Sequence, residues 1–250
     1  MPLAELASLG PYFAVTSHDA GSPVSEPWQP LATLTGSPLR LRERIAEVRA
    51  ALAAAAGCAP EAVEFRVAAS VAQLGVAARL VSPALAVAAL SAGVLCMDPA
   101  VVRWQPVLGG AFPLSLTASG GVRTPGRSGS GEDDALAREL ARQLVNGPVR
   151  AITEMTAAMS VSRRVVWGNV ASAVNGAASM IAAARPSLEA RAWAISSALL
   201  RHPPLAGGYE GAPGGGFRRR NCCLIYRIAA VPGNAICADC VLRPPTGPPR

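Results

Sequence analysis

Four cysteines lie close together near the C-terminal end of the chain. Their pattern is Cys-Cys-x13-Cys-x2-Cys, formed by Cys222, Cys223, Cys237 and Cys240. The other two cysteines, Cys58 and Cys96, stand alone in apolar sequence. Because thiolates are soft ligands, four of them brought together bind a soft or borderline metal. The pattern therefore predicts either an iron–sulfur cluster or a zinc site.

The spacing within each pair of cysteines favours a cluster over zinc. Zinc sites usually have two Cys-x2-Cys turns. Here only Cys237 and Cys240 form such a turn, because Cys222 and Cys223 are adjacent. Adjacent side chains of a strand point to opposite faces, so both reach one centre only where the backbone turns. A two-iron cluster is wider than one zinc ion and takes a thiolate from each side of such a turn.

Disulfide bonds are a third alternative for these cysteines, ranked after zinc. A bridge between neighbouring cysteines is strained, and nothing in the sequence indicates an oxidising compartment. The spacing also matches neither common ferredoxin pattern, so a standard ferredoxin is not expected.

The sequence lacks motifs for other redox or nucleotide chemistry. A Rieske centre needs two histidine ligands, and the only histidines, His18 and His202, lie in no such motif. No P-loop, nucleophile elbow or zinc-protease motif is present, and the glycines at 207–216 do not join a strand to a helix. The chain is therefore expected to have no NAD or flavin site and to receive electrons from an external donor.

The sequence around the cysteines resembles a known family. Residues 219–227, Arg-Arg-Asn-Cys-Cys-Leu-Ile-Tyr-Arg, and residues 237–242, Cys-Ala-Asp-Cys-Val-Leu, are similar to the C-terminal signature of FhuF-type ferric-siderophore reductases. Segments 69–85 and 166–173, the latter containing Trp-Gly-Asn, resemble two helical segments of that family. The likeness covers about residues 60–242, and the double-cysteine motif is its most specific part.

The resemblance implies an iron–sulfur oxidoreductase of iron acquisition. In the family the four cysteines bind a [2Fe-2S] cluster, and the ligands here would be Cys222, Cys223, Cys237 and Cys240. The implied reaction is the one-electron reduction of siderophore-bound Fe(III) to Fe(II), which releases iron in the cytoplasm. No catalytic residue beyond the cluster ligands is expected, since no general acid or base is required. The implied partners are a ferric siderophore and an external electron donor, either a reductase or a ferredoxin.

One departure from the family pattern is the gap between the two cysteine pairs. The gap is longer than in the family, and the extra residues lengthen the loop 229–235. This difference bears on the detailed geometry of the cluster and not on the set of ligands.

Other functions are compatible with the same residues. One is an iron–sulfur electron-transfer or sensor protein without reductase activity. Another is a structural zinc-binding module of an interaction protein. The helical part also resembles a segment of siderophore synthetases, but those need ATP and the sequence has no nucleotide-binding signature.

Positive charge is concentrated around the cysteines. The net charge is +7, all 23 basic residues are arginine, and residues 201–250 hold seven arginines against two acidic residues. An oxidised [2Fe-2S] cluster with four thiolates carries about −2. Nearby arginines would offset that charge, raise the reduction potential and attract an anionic substrate or an acidic donor. The candidates are Arg218, Arg219, Arg220, Arg227 and Arg243. A solvated position is the alternative for each, and no nucleic-acid partner is expected.

The N-terminal residues predict a cytoplasmic protein, because residues 1–5 carry no positive n-region and no secretory h-region. The run Leu80–Met97 has 18 residues without a charge, which is long enough to consider a membrane span. Because the run is rich in alanine and contains Ser82 and Pro83, a buried core helix is predicted instead, with Cys96 as a core residue. Peripheral association with the inner membrane or a siderophore transporter is compatible with this prediction.

Composition and periodicity predict a mainly α (α+β) fold. Apolar residues make up 51% of the chain and aromatic residues only 4%, as in proteins whose helices pack through small side chains. Strands Val101–Val107 and Phe112–Thr117 are predicted to form an antiparallel hairpin, which Trp104 packs onto the helices. The predicted helices are 2–14, Leu39–Ala56, Glu61–Val81, Ala84–Cys96, Asp134–Leu144, Val149–Met159, Arg163–Ala184 and Pro186 to about Leu200.

Three regions are predicted along the chain. Residues 1–202 form a helical body with an internal loop at 119–133, residues 203–216 form a connector rich in Gly and Pro, and residues 217–250 form the cluster module.

The predicted helix Arg163–Ala184 contains three residues of interest and begins after Ser162, a predicted cap. Gly168 lowers helix stability by about 1 kcal/mol relative to Ala, which indicates close approach of another backbone or a ligand. Trp167 and Asn169 are candidates for a chelate-binding face.

Overall fold

The computed structural model describes residues 3–118, 122–123, 131–212, 215–228 and 236–243. The chain is mostly helical, with 56% helix and 8% strand, which confirms the predicted mainly α fold with a small antiparallel hairpin. The α-helices are α1 Leu3–Ala7, α2 Ala32–Thr35, α3 Pro38–Ala55, α4 Phe65–Ser91, α5 Glu132–Leu140, α6 Arg150–Ala158, α7 Arg163–Ala184 and α8 Glu189–Leu200. A π-helical segment, Ala141–Val149, joins α5 to α6, and short 3-10 turns lie at Pro60–Ala62, Pro186–Leu188 and Ile225–Arg227.

Helices α4 and α7 pack against each other at the centre of the molecule, and α3 and α8 pack onto them. Alanines such as Ala84, Ala88 and Ala178 are fully buried. Small side chains of this kind let helix axes come close, and the resulting burial of apolar surface stabilises the body.

The predicted break in α4 is wrong. The helix runs without interruption from Phe65 to Ser91, with Pro83 in its interior. A proline there loses one hydrogen bond and costs about 3 kcal/mol. Pro83 and the residues that follow it, through Ala88, are buried on all faces, so burial of apolar surface offsets that cost. The helix instead ends beside Ala92, whose φ of 53° is left-handed.

Helices α4 and α7 are both long and apolar enough to cross a membrane by length and composition. In the most apolar 18-residue window, 72% of α4 and 61% of α7 is buried within the protein. The core helix of a soluble protein meets the same criterion, so the localisation stays a prediction.

The predicted hairpin lies within a four-stranded sheet. Its strands β4 Arg103–Trp104 and β5 Leu114–Thr117 are antiparallel, and Trp104 is buried. Two short strands near the N-terminus complete the order β1-β5-β4-β2; they are β1 Thr16–His18, parallel to β5, and β2 Gln29–Pro30, antiparallel to β4. Two further antiparallel pairs are β3 Val94–Leu95 with β6 Val122–Arg123, and β7 Tyr209–Glu210 with β8 Arg218–Arg219.

The ends of the remaining helices follow their sequence signals in part. Gly147 has a non-helical backbone and separates the helical turns before it from Pro148 and helix α6. Helix α7 begins and ends at the predicted residues, but the side chain of Ser162 makes no capping hydrogen bond, so the predicted cap is wrong. The backbone carbonyl of Ser162 accepts the N–H groups of Val165 and Val166 instead. Most of the predicted loop 119–133 lies outside the described residues.

Candidate metal centre

The four cysteines lie on two short segments with little regular structure. The first segment follows strand β8 and the second spans residues 236–243. The N–H of Arg219 donates to the carbonyl oxygen of Asp239 at 2.8 Å. Arg218 donates through Nη2 to the carbonyl oxygen of Val241. Because these bonds cross from one segment to the other, they bring Cys222 and Cys223 close to Cys237 and Cys240.

A left-handed residue turns the backbone directly after the adjacent cysteines. Leu224 has a φ of 73°, which is rare for a bulky side chain. Its N–H donates to Cys222 Sγ at 3.3 Å, and the N–H of Leu242 donates to Cys240 Sγ at 3.5 Å. Hydrogen bonds to cysteine sulfur stabilise negative charge there and raise the reduction potential of a bound cluster. The backbone therefore turns at Leu224, directly after the two adjacent cysteines.

The four thiols form two close pairs. Cys223 Sγ lies 3.3 Å from Cys237 Sγ, and Cys222 Sγ lies 3.7 Å from Cys240 Sγ. All four cysteines are free, and both separations exceed the disulfide bond length of about 2.05 Å. Each pair therefore joins one segment to the other, and the two adjacent cysteines belong to different pairs.

The separation within each pair of sulfurs is compatible with two thiolates on one metal atom. Two thiolates that bind one tetrahedral metal at about 2.3 Å lie about 3.8 Å apart, which is close to the separation within each pair. Among the described residues, no group of three or more His, Cys, Asp and Glu side chains is placed to hold a metal ion. A [2Fe-2S] cluster takes two thiolates on each iron, whereas one zinc ion takes all four.

The environment separates the thiol pKa values. The pKa of Cys223 is lowered to about 6, first because its sulfur accepts a hydrogen bond from the Cys237 thiol, and further because of the Ile225 N–H and the charge of Arg219. Donating that bond raises the pKa of Cys237. Burial raises the pKa of Cys222 to about 12. Without metal, Cys223 is therefore the thiol of its pair that ionises first, and it is a ready thiolate ligand.

Only Arg219 of the candidate arginines is buried, with 1% of its surface exposed. Its Nη2 donates to Asn169 Oδ1. Its Nε and Nη1 are buried and have no hydrogen-bond partner in the described part of the chain. A buried cation with unpaired N–H groups is costly unless an anion lies beside it.

Asn169 connects Arg219 to the centre of the helical body. Its Nδ2 donates to the carbonyl oxygen of Ser70 at 3.0 Å and to Gln73 Oε1 at 2.9 Å. Gln73 in turn donates through Nε2 to Thr153 Oγ1 at 3.1 Å. Because a guanidinium can only donate, Oδ1 of Asn169 must be the atom that faces it. Helices α4, α6 and α7 thus share one buried polar network that ends at Arg219.

The other candidate arginines bind backbone carbonyls or a carboxylate, or are exposed to solvent. Arg218 is half-buried and Arg220 is exposed. Arg243 is exposed and donates to the carbonyl oxygen of Ile236 at 3.2 Å. Arg227 is exposed and donates to Glu64 Oε1 at 2.6 Å, which ties the Ile225–Arg227 turn to the start of α4. These contacts hold backbone segments in place.

Burial corrects the prediction that Trp167 and Asn169 form a chelate-binding face. Trp167 is 7% exposed, with the Arg150 guanidinium 5.8 Å from a ring centroid, and Asn169 is fully buried. Neither side chain is therefore open to a large ligand. The role of Asn169 is its contact with Arg219.

Gly168 confirms the prediction of a close backbone approach. A Cβ at Gly208 would lie only 3.2 Å from the Cα of Gly168, and a Cβ at Gly168 would lie 3.7 Å from Arg219 Nη2. Two glycines thus let the chain before strand β7 lie directly on α7. The Trp-Gly-Asn segment therefore contacts the chain before β7 through Gly168 and binds Arg219 through Asn169.

No protein-family model matches the chain, and no curated protein or solved structure is significantly similar to it. The resemblance carried by the cysteine and Trp-Gly-Asn motifs therefore stays a prediction.

Several residues of the site were missed by sequence reasoning. Ser70, Gln73 and Thr153 are polar residues buried in helices, and their spacing carries no motif. Ser172 also donates a hydrogen bond to the carboxylate of Asp239, which lies between Cys237 and Cys240 in the chain. A polar residue within an alanine-rich helical stretch, such as Gln73, was the one available signal, because burying it requires hydrogen-bond partners.

Proposed function

We propose that this protein is a ferric-siderophore reductase in which Cys222, Cys223, Cys237 and Cys240 bind a [2Fe-2S] cluster. The observation that carries the proposal is the arrangement of four free thiols as two close pairs, 3.3 and 3.7 Å apart, beside a buried arginine. Such a cluster supplies one electron at a time at a potential set by hydrogen bonds and charge around its sulfurs.

The chain's own residues hold the centre and set its charge. Leu224 and Leu242 donate backbone N–H groups to two of the sulfurs. Arg218 and Arg219 bind the backbone of the opposite segment. These contacts favour negative charge on the sulfurs and keep the two segments together, as a binuclear site that spans both segments requires.

The substrate is proposed to be Fe(III) held by a siderophore. Fe(III) is a hard ion that prefers hydroxamate or catecholate oxygens, whereas Fe(II) binds them far less tightly. One electron from an external reductase or ferredoxin reduces Fe(III) to Fe(II), and the iron is then released from the chelate. Because no bond to carbon is made or broken, the reaction needs no acid or base from the protein.

The test begins with protein purified without oxygen. Visible bands that bleach with dithionite, an S = ½ EPR signal after reduction, and about two iron atoms and two sulfides per chain are expected. The same sample is then assayed with a ferric hydroxamate and a ferric catecholate, with a coloured Fe(II) chelator as the trap. Reduction of at least one chelate is expected.

Two other outcomes would contradict the proposal in different ways. A colourless protein with one zinc per chain would indicate a structural zinc module. A protein that contains the cluster but reduces neither chelate would indicate an electron-transfer or sensor protein instead.

A further inference from the structure

We propose that Asn169 is a positioning residue that holds the buried Arg219 guanidinium at the cysteine pairs, and that this held charge raises the reduction potential of the centre. The inference rests on the proposed cluster. It concerns how the helical body controls that cluster, which the cysteine motif alone does not indicate.

Arg219 is buried and has no anionic partner in the described part of the chain. The side chain is 1% exposed, and its Nε and Nη1 have no partner among the described residues. The nearby Asp239 carboxylate accepts a hydrogen bond from Ser172 and makes no ion pair with Arg219 in the described part of the chain. A buried guanidinium left in this state is unfavourable, so the site calls for a further negative group.

The backbone of Arg219 is bound to the segment that carries Cys237 and Cys240. Its backbone N–H is bonded to Asp239, which lies between Cys237 and Cys240. Arg219 also lies on strand β8, which leads directly into Cys222 and Cys223. The unpaired N–H groups therefore belong to a buried cation whose backbone is bound to both cysteine segments.

A hydrogen bond to the helical body holds the Arg219 guanidinium in place. Asn169 accepts from Nη2 and is itself fixed by Ser70 and Gln73. A side chain as long as arginine loses much conformational entropy when it is confined. The prearranged network of α4 and α7 supplies the partner that confines it.

The consequence is electrostatic. A cluster with four thiolates carries about −2 when oxidised and gains one further negative charge on reduction. A cation in a poorly solvated site is little screened, so it stabilises the reduced form more than the oxidised form. An exposed arginine one residue away has a much smaller effect, because water and salt screen it.

The experiment compares Arg219→Gln with Arg220→Gln in the full-length, cluster-loaded protein. Both variants remove one charge, from a buried and an exposed position one residue apart. Potentials are measured by EPR-monitored titration without any siderophore. Arg219→Gln is expected to lower the ratio of reduced to oxidised protein at a fixed potential about tenfold, which is about 59 mV for one electron. Arg220→Gln is expected to shift it far less.

Asn169→Ala tests the positioning role. The potential is expected to fall in the same direction as in Arg219→Gln but by less, because the charge remains and is no longer fixed. Asn175→Ala, on the same helix, is the matched control and is expected to leave the potential unchanged. In the double variant Arg219→Gln/Asn169→Ala, the potential should equal that of Arg219→Gln alone, since Asn169 acts only through the charge of Arg219.

Equal shifts in Arg219→Gln and Arg220→Gln would overturn the inference. So would an Asn169→Ala shift that persists when Arg219 is already Gln, because a merely structural role predicts that result. If Arg219→Gln does not load a cluster, Asn169→Ala against Asn175→Ala decides the question. If the potentials of the variants shift as expected but no ferric chelate is reduced, only the reductase proposal is refuted. If the potentials do not shift but a ferric chelate is reduced, only this inference is refuted. Protein without iron would refute both.

Discussion

Two buried arginines mark two regions of the molecule that solve the same problem differently. Arg79 lies inside the body, 2% exposed, and Arg219 lies at the cysteine segments, 1% exposed. Arg79 donates to the carbonyl oxygens of Phe112, Tyr12 and Ala14. Arg219 has one side-chain bond, to Asn169, and two N–H positions without a partner in the described part of the chain.

The difference separates a cation whose hydrogen bonds are satisfied from one that has no counter-charge among the described residues. The protein satisfies Arg79 with backbone carbonyls alone, and burial lowers its pKa only to about 10, so it stays charged at neutral pH. Arg219, on the strand that leads into the cysteines, has two buried N–H positions without a partner in the described part of the chain. The first region therefore satisfies its buried cation with backbone carbonyls, whereas in the second region the proposed anionic cluster would supply the counter-charge.

The largest effect is expected from Cys223→Ser. The variant removes a sulfur from one pair, so the visible absorption and the reduced EPR signal are expected to disappear. The helical content measured by circular dichroism should remain, because the body does not depend on the centre. Cys58→Ser is the matched control, since Cys58 is exposed and far from the pairs in sequence. An unchanged spectrum in Cys223→Ser would remove that residue from the ligand set.

Arg79→Met should break the other region. Three carbonyl oxygens lose their donors, of which the one at Phe112 is buried and those at Tyr12 and Ala14 are part-buried. Each loss costs about 1–3 kcal/mol when the oxygen is buried, so we expect a loss of about 3 kcal/mol in the free energy of unfolding. Urea unfolding measures it, with and without the metal centre. Arg66→Met is the control, because Arg66 lies on the same helix and its side chain is 47% exposed. A cost that appeared only in metal-loaded protein would contradict the comparison.

Gly208→Ala tests the contact between the two regions. A Cβ at Gly208 would lie 3.2 Å from Gly168 Cα and 3.3 Å from the carbonyl oxygen of Leu205. Overpacking of this kind costs about 1–3 kcal/mol, and displacement of the chain from α7 should also reduce the amount of cluster retained. At Gly207 an added Cβ meets nothing within 4 Å. Gly207→Ala should therefore retain the stability and metal content of the natural protein, and equal losses in both would argue against the contact.

The smallest effect is expected at Glu64. Hydrogen bonds from Arg66 and Arg227 lower the pKa of Glu64 below its ordinary value of 4.5. Because the folded pKa is depressed, the stabilisation is present above pH 4.5 and is lost as the pH falls through the folded value. Arg227→Gln should thus lower the melting temperature slightly at pH 7, and the difference should shrink as the pH falls below 4.5. A difference that does not change with pH, or with high salt, would show that packing rather than charge is responsible.

The sequence predicts the body better than the centre, for physical reasons. Helix α7 begins and ends at the predicted residues although Ser162 makes no side-chain cap, and Pro186 follows its end as a local stop signal. The break predicted at Pro83 fails because burial on all faces outweighs a local rule. Strand β1 has three residues and pairs with residues 115–117, a pairing that no local pattern specifies.

The cysteine ligand set could be proposed from spacing, but not the partner of each cysteine. The crossed pairing depends on the turn at Leu224, and nothing in a leucine indicates a positive φ. The chain has three consecutive arginines at 218–220, and nothing in the sequence distinguishes them. Only the tertiary structure shows that the middle one, Arg219, is buried. Its partner Asn169 lies 50 residues away in the chain.

The crossed pairing of the thiols has a consequence for biosynthesis. Each pair takes one cysteine from the segment before residue 229 and one from the segment after residue 235. A growing chain therefore contains no complete pair until Cys237 has been synthesised, and no second pair until Cys240 follows. Since N-terminal parts fold first during translation, the helical body and its Asn169 network precede the site in time. A truncated chain that ends within that gap would carry no half-built site to capture iron.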